Sequence, residues 1–279
     1  MFFRSLEVAV SSHNKFEMRE SWDRCIERAQ QLANGDEALH SLLTFYGALL
    51  GLQKLLAAGL SDNRNGPPTG ALAHDIELLR PGIAAFLGSI ATAGPELLAK
   101  QARKLLDGPR QNIDDLLTTC WSRPTDRQFF GKAALQPYAR FLAEAGVMPV
   151  DRELTMAENR CPFCGGVPQL SILHGSAGPL EGGGRSLLCA TCLTVWPFRR
   201  VLCASCGEED EHKLGYFHSP HHDHLRVDAC DTCRRYLKTV DLTRLGVAVP
   251  LVDEVAGAAL DLWAREQGYE KIELNLVGL

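Results

Sequence analysis

Cys161-Pro162-Phe163-Cys164-Gly165, Cys189-Ala190-Thr191-Cys192, Cys203-Ala204-Ser205-Cys206-Gly207 and Cys230-Asp231-Thr232-Cys233 are the runs whose reading decides the fold of this chain. Each contains a Cys-x-x-Cys pair, and together they use eight of the ten cysteines. Two intervening residues let the backbone turn tightly and aim both sulfurs inward, so two such turns complete a tetrahedral four-sulfur site. One pair could be a redox motif. Four between residues 161 and 233 predict two metal sites, with Cys161, Cys164, Cys189, Cys192, Cys203, Cys206, Cys230 and Cys233 as ligands.

The segments between pairs are residues 165–188, 193–202 and 207–229, so the outer two are nearly equal in length and point to a duplicated unit. In each unit a thiolate turn precedes a β-prone run (Val167–Leu173; Leu214–His218) and a Gly- or His-rich turn. A second apolar strand (Ser186–Leu188; Leu225–Val227) then leads into the next cysteine pair. The reading is two consecutive ribbons, the first closed by Cys161, Cys164, Cys189 and Cys192, the second by Cys203, Cys206, Cys230 and Cys233. A cross-braced arrangement, joining the first pair to the third, is the alternative. Gly165, Gly166 and Gly207 supply the positive φ that frees amide donors for sulfur just after a thiolate turn.

Disulfides are the bland reading of so many cysteines, but they belong to small secreted domains, and this chain has 279 residues and no evident secretory signal near Met1. A thioredoxin-like motif needs one Cys-x-x-Cys in a βαβ setting, not four in ribbons. Four thiolates suit zinc, a single iron or an iron–sulfur cluster, and spacing does not separate these. Reduced, paired thiolates favour the cytoplasm.

A formal net charge of −5 gives no general reason to expect nucleic acid as partner, and the arginines of the cysteine region are balanced by Glu208, Glu209, Asp210, Glu211, Asp228 and Asp231. Leu42–Leu60 is long and apolar enough to weigh as a membrane span. Gln53 and Lys54 within it favour the central helix of a bundle.

Residues 1–14 carry little pattern. Lys15–Ala33 reads as an amphipathic helix with Phe16, Trp22, Cys25, Ile26, Ala29 and Leu32 near one face. Asn34-Gly35 ends it, and Asp36 caps a second helix running to about Ala58. Ser61–Gly70 is a loop by composition, and helices are expected at 71–80, 82–92, 95–106, 111–120 and 132–145, with breaks at Pro81-Gly82 and Gly94-Pro95. Cys25 and Cys120 read as packed core thiols. Asp151–Asn159 links into the metal region, a terminal helix is expected over Asp253–Gln267, and Lys271–Leu279 is a strand or extended tail. The fold class is therefore α+β: an all-α domain (1–155), two tandem metal ribbons (156–200 and 201–242) and a C-terminal helix and tail (243–279).

Cys161-Pro-Phe-Cys-Gly, Leu188-Cys-Ala-Thr-Cys with Trp196, Val201-Leu-Cys-Ala-Ser-Cys-Gly, Asp228-Ala-Cys-Asp-Thr-Cys-Arg-Arg-Tyr-Leu and Ala259-Leu-Asp-Leu-Trp-Ala with Gly268-Tyr269 together resemble FdhE, the formate dehydrogenase accessory family, over residues 158–270. The resemblance implies a cytoplasmic, non-enzymatic protein with two rubredoxin-like modules that hold two iron ions per chain, zinc being the alternative. It also implies a partner: the catalytic subunit of respiratory formate dehydrogenase, bound before twin-arginine export. The turn holding His218, His221, His222 and His224 departs from the family pattern and reads as exposed loop. Gly175–Gly184 reads as a hairpin tip, because no strand–loop–helix with Gly-Lys-Ser/Thr surrounds it. Trp196, Phe198 and Phe217 read as packing residues beside the sites, with a partner contact as the alternative because aromatic residues are enriched in interfaces.

Three functions compete at this stage. The leading one is a metal-stabilised binding protein in which the metals supply folding free energy to ribbons too small to hold a core alone. The others are iron-based redox action on the client's active site and a nucleic-acid-binding zinc ribbon. Every paired cysteine is consumed as a ligand, which leaves hydrolase or transferase chemistry no open metal position.

Overall fold

The computed structural model describes residues 20–61, 66–123, 128–155, 157–175, 183–220 and 222–279. The expectations for residues 1–14, the first turn of the helix expected from Lys15, residues 62–65 of the 61–70 loop, most of the glycine-rich tip and His221 lie outside them.

Six helices come first. α1 (Trp22–Gly35) begins later than its apolar pattern suggests, because Ser21 is extended and its hydroxyl accepts the Arg24 N–H as an N-cap. Asp36 then accepts the Ala38 N–H ahead of α2 (His40–Ser61), which packs against α1 and its later neighbours as the central helix. α3 (Leu72–Ala93) runs unbroken through Pro81, where two helices were expected. Pro81-Gly82 marks a close approach instead of a break, since a Cβ on Gly82 would lie 2.7 Å from Leu56 Cδ2 of α2. Gly94-Pro95 does end the helix, and α4 (Glu96–Asp107), α5 (Arg110–Ser122) and α6 (Phe129–Ala145) follow.

Pro137 lies inside α6 and leaves the Ala133 carbonyl without its helical donor. Gln53 of α2, fully buried, donates to that carbonyl at 2.9 Å and to Gln136 Oε1 at 3.1 Å. The polar residue that argued against a membrane span is thus a repair for a neighbouring helix. By length and composition α2 and α3 are each apolar enough to cross a bilayer, and here both contribute to the main core.

The cysteine region supplies six strands of one seven-stranded sheet. Its first ribbon comprises β1 (Pro168–Leu173), β2 (Arg185–Cys189) and β3 (Val195–Phe198); its second comprises β4 (Leu214–Ser219), β5 (His222–Cys230) and β6 (Arg235–Asp241). Strand order is β3-β2-β1-β6-β5-β4, antiparallel within each ribbon, and the ribbons join by parallel pairing of β1 with β6, from Leu170↔Lys238 to Leu173↔Asp241. The tandem expectation holds, with the addition that the ribbons share one sheet. His218 and His222 flank a tight β4–β5 connection, and His224 is paired, not loose: its Nε2 lies 2.9 Å from Asp253 Oδ1.

The expected terminal helix is two, α7 (Pro250–Ala256) and α8 (Ala258–Glu266), interrupted at Gly257, where a Cβ would stand 2.8 Å from Leu225 Cδ1. A short β7 (Glu270–Lys271) pairs parallel with β6. Lys238, Lys271, Glu254 and Asp261 meet between these elements with fully buried side chains, Lys238 to Glu254 at 3.0 Å and Lys271 to Asp261 at 3.3 Å. Burial alone would raise Glu254, but the Lys238 and Lys271 ammoniums bring it to about 2.

One apolar core runs from the helices into the first ribbon, and a smaller one lies under the second ribbon and α8. Polar ties cross the same boundary. Arg28 of α1 clamps Asp253 of α7 through Nε (2.9 Å) and Nη2 (2.6 Å), and Gln136 Nε2 donates to Ala190 O (3.0 Å), within the second thiolate turn.

Candidate metal centres

Each thiolate turn is built the same way. The first cysteine's N–H bonds five residues ahead, Cys161 to Gly166 O, Cys189 to Thr194 O and Cys203 to Glu208 O, each at 2.9 Å, while Cys230 pairs with Arg235 in the β5–β6 ladder. The residue directly after the second cysteine has positive φ in all four turns: Gly165 (69°), Leu193 (57°), Gly207 (77°) and Arg234 (56°). Glycine identity gave away the first and third. Leu193 and Arg234 were missed, although their place after Cys192 and Cys233 was the available signal. Gly166 serves differently from the expectation: a Cβ there would meet Cys189 Sγ at 2.8 Å and Cys164 Sγ at 3.2 Å. It is glycine because the sulfurs need its space.

The turns converge as two consecutive sets. Cys161, Cys164, Cys189 and Cys192 have their four Sγ atoms within 4.8 Å of one another, as do Cys203, Cys206, Cys230 and Cys233. The cross-braced alternative does not occur. Both sets are arranged alike, first cysteine beside last and second beside third: Cys161–Cys192 3.6 Å, Cys164–Cys189 3.5 Å, Cys203–Cys233 3.8 Å and Cys206–Cys230 3.8 Å. A regular tetrahedron with metal–sulfur bonds of about 2.3 Å has edges of about 3.8 Å, so the sulfurs stand at the separation that one tetrahedral ion requires.

Electrostatics point the same way. Burial, then hydrogen bonds from the other sulfurs, push the Cys192 thiol well up, and burial pushes Cys203 up to about 12. Within each set one thiol goes the other way: burial is outweighed by hydrogen bonds that hold Cys189 and Cys206 down. Four thiols this close cannot all ionise without a cation between them. Main-chain donors help to stabilise the charged form: Thr191 N–H reaches Cys189 Sγ at 3.3 Å and Ser205 N–H reaches Cys203 Sγ at 3.4 Å.

The sets differ in depth. In the first all four cysteines are buried, with at most 1% exposed. In the second Cys206 is exposed and Cys233 half-buried. Trp196 and Phe198 are buried in the core that includes the first set, Phe198 opposite Arg185 at the far end of β2, but Phe217 is 37% exposed, on a strand at the end of the sheet. Cys25 and Cys120 are buried, and burial pushes their thiols up to about 12 and about 11, as packed thiols of low reactivity.

Comparison with known proteins places this geometry. Residues 201–277 match the FdhE C-terminal domain. An FdhE homolog of Aquifex aeolicus is 36% identical over 151 residues, 54% of this chain and 52% of that protein. One of Pseudomonas aeruginosa is 33% identical over 129 residues, 44% of this chain and 40% of that protein. These matches span about half the length of those relatives or less. The crystal structure of the FdhE protein from Pseudomonas aeruginosa superposes with a TM-score of 0.69 at 24% identity, over 92% of this chain and 96% of that one, which establishes the shared fold.

Proposed function

We propose, from the likeness of residues 201–277 to the FdhE C-terminal domain and of the chain to FdhE homologs, that this protein belongs to the FdhE family and is a cytoplasmic, non-enzymatic accessory factor. Its client on this reading is the catalytic subunit of a respiratory formate dehydrogenase, bound before export. Cys161, Cys164, Cys189 and Cys192 would hold one iron ion, and Cys203, Cys206, Cys230 and Cys233 a second, with zinc as the alternative. The observation that carries the reading is that, among the described residues, all eight sulfurs fall in two sets of four of tetrahedral dimension. Closed sets build and fix a surface; they do not activate a substrate.

The chain's own residues divide that work. The positive-φ residues aim the turn amides at sulfur, the parallel β1–β6 junction holds the two sets on one sheet, and Arg28–Asp253 with Gln136–Ala190 fasten the helices to it. The test is capture of the client catalytic subunit, made without its export machinery, by the full chain purified without oxygen. Capture by the wild type, and its loss when Cys203 and Cys206 are both replaced by serine, is expected. A folded double variant that still captures the client refutes the reading.

Exposure of Cys206 favours one further reading, electron exchange with the client. Iron held by four thiolates supplies a one-electron couple, whereas zinc supplies none. Zinc-loaded protein that matures the client as fully as iron-loaded protein removes the redox role.

A further inference from the structure

The two ribbons repeat along the sheet. β1, β2 and β3 correspond to β4, β5 and β6, so the order β3-β2-β1-β6-β5-β4 is one three-strand unit laid beside a second in the same sense. The correspondence extends to register: Leu188↔Val195 and Ala229↔Tyr236 stand at the same offset from their thiolate turns. It follows that the outer edge of β4 is the counterpart of the β1 edge that β6 fills with a parallel strand. Among the described residues nothing pairs with that edge of β4.

The opposite end of the sheet is protected differently. β3 carries Pro197, which has no N–H to offer an incoming strand. β4, Leu-Gly-Tyr-Phe-His-Ser, has neither proline, lysine nor carboxylate along its edge. The Asp231 N–H bonds to Lys213 O, directly opposite in the β4–β5 register, so Gly215 and Phe217 direct their main-chain groups toward β5. Leu214, Tyr216 and His218 therefore direct theirs outward.

The two faces beside this edge differ in chemistry. On the Tyr216 side lies a recess of about 80 Å³ lined by Arg185, Arg200, Arg226 and Arg235, with Asp228 the one carboxylate among its lining residues. The Arg226 guanidinium lies 5.3 Å from the Tyr216 ring centroid. On the other side Phe217 meets Trp263 at 4.7 Å between ring centroids, with Leu262 of α8 56% exposed next to it in sequence.

We propose that the outer edge of β4 binds an extended segment of a partner protein as an added parallel strand, and that this segment alternates acidic with apolar residues. Its carboxylates face the arginine recess, its apolar side chains extend the Phe217–Trp263 surface, and its main chain bonds to Tyr216 and His218. The inference does not depend on which client the protein serves.

The test uses the full-length, metal-loaded chain and a capped synthetic heptapeptide alternating valine and glutamate. Amide exchange at Tyr216 and His218 is expected to slow at least about tenfold at saturating peptide, with Gly215 and Phe217 little changed. The valine–lysine counterpart should not protect them. Tyr216→Pro, which deletes an outward N–H and no β4–β5 bond, should abolish protection, whereas Tyr216→Thr should retain it; metal content checks that both variants fold. Unprotected Tyr216 and His218, or equal protection by the lysine peptide, overturns the proposal. Concentration-dependent self-association that Tyr216→Pro removes also overturns it, by assigning the edge to a second copy of the chain.

Discussion

Replacing Gly166 with alanine attacks the first metal set without removing a ligand. The added Cβ would stand 2.8 Å from Cys189 Sγ, 3.0 Å from Thr191 Oγ1 and 3.2 Å from Cys164 Sγ. Ordinary nonbonded carbon contacts lie at about 3.5–4.0 Å, so relief requires sulfur displacements of several tenths of an ångström. The first set is buried on every side, and its sulfurs cannot yield outward. Overpacking of this kind costs about 1–3 kcal/mol, which weakens metal binding about 5- to 150-fold at that site. Gly207→Ala is the control. Gly207 has φ of +77° but nothing within 4 Å of its would-be Cβ. Leu193 and Arg234 already hold the equivalent place in their turns, so the control costs about 1 kcal/mol of backbone strain. The assay is metal per chain by mass spectrometry after dialysis against a graded chelator. Gly166→Ala should fall from two ions toward one while Gly207→Ala follows the wild type closely. Full retention of two ions by Gly166→Ala, at wild-type chelator resistance, would refute both the tetrahedral assignment and the steric account of this glycine.

Three further outcomes follow from burial and charge. A strong chelator should strip the second set first, since Cys206 is exposed while the first set is enclosed, and stopped-flow release should show two phases, the faster one lost in Cys206→Ser. Arg28→Met should destabilise the protein by about 3 kcal/mol in denaturant melts, because it leaves the buried Asp253 carboxylate short of a charged partner. Acid should open the same contact: burial alone would raise Asp253, but hydrogen bonds from His224 and Arg28 hold it below the usual carboxylate range. That stabilisation is complete above about pH 3.9 and is lost as the pH falls through the lowered folded value, so α1 amides should gain exchange there, and Asp253→Asn should flatten the dependence.

What could be read from the sequence was local. Ligand pairing follows from spacing, because a Cys-x-x-Cys turn is decided within a few residues and two consecutive turns close over a short loop. The four-cysteine sets, Gly165 and Gly207 at positive φ, the Gly94-Pro95 break and the central place of α2 all came from such short-range signals. The departures share one cause: a distant partner decides the outcome. Pro81-Gly82 looks like a helix break until Leu56 of α2 is seen to need the space. Gly257 splits the terminal helix where Leu225 of β5 presses on it, and His224 leaves the loop class because Asp253 lies across from it. Nor could periodicity show that β1 and β6, far apart in the chain, pair in parallel. Phe217 was read as packing beside a metal site, and its position on the end strand leaves it partly exposed instead.

Two sites of equal donor chemistry at unequal depth imply unequal roles. The first set lies in the core it shares with the helices, and Ala190 inside its second turn accepts from Gln136, which accepts from Gln53 of the central helix. An ion held there would be coupled to helix packing, and its loss would loosen α2 and α6. The second set sits over a separate, smaller core, with two of its four cysteines in contact with solvent, next to the arginine recess and the outer edge of β4. An ion there shapes the surface a partner would meet and can change without dismantling the bundle. Two like ribbons thus offer one site where a metal would hold the protein together and another where a metal would face outward.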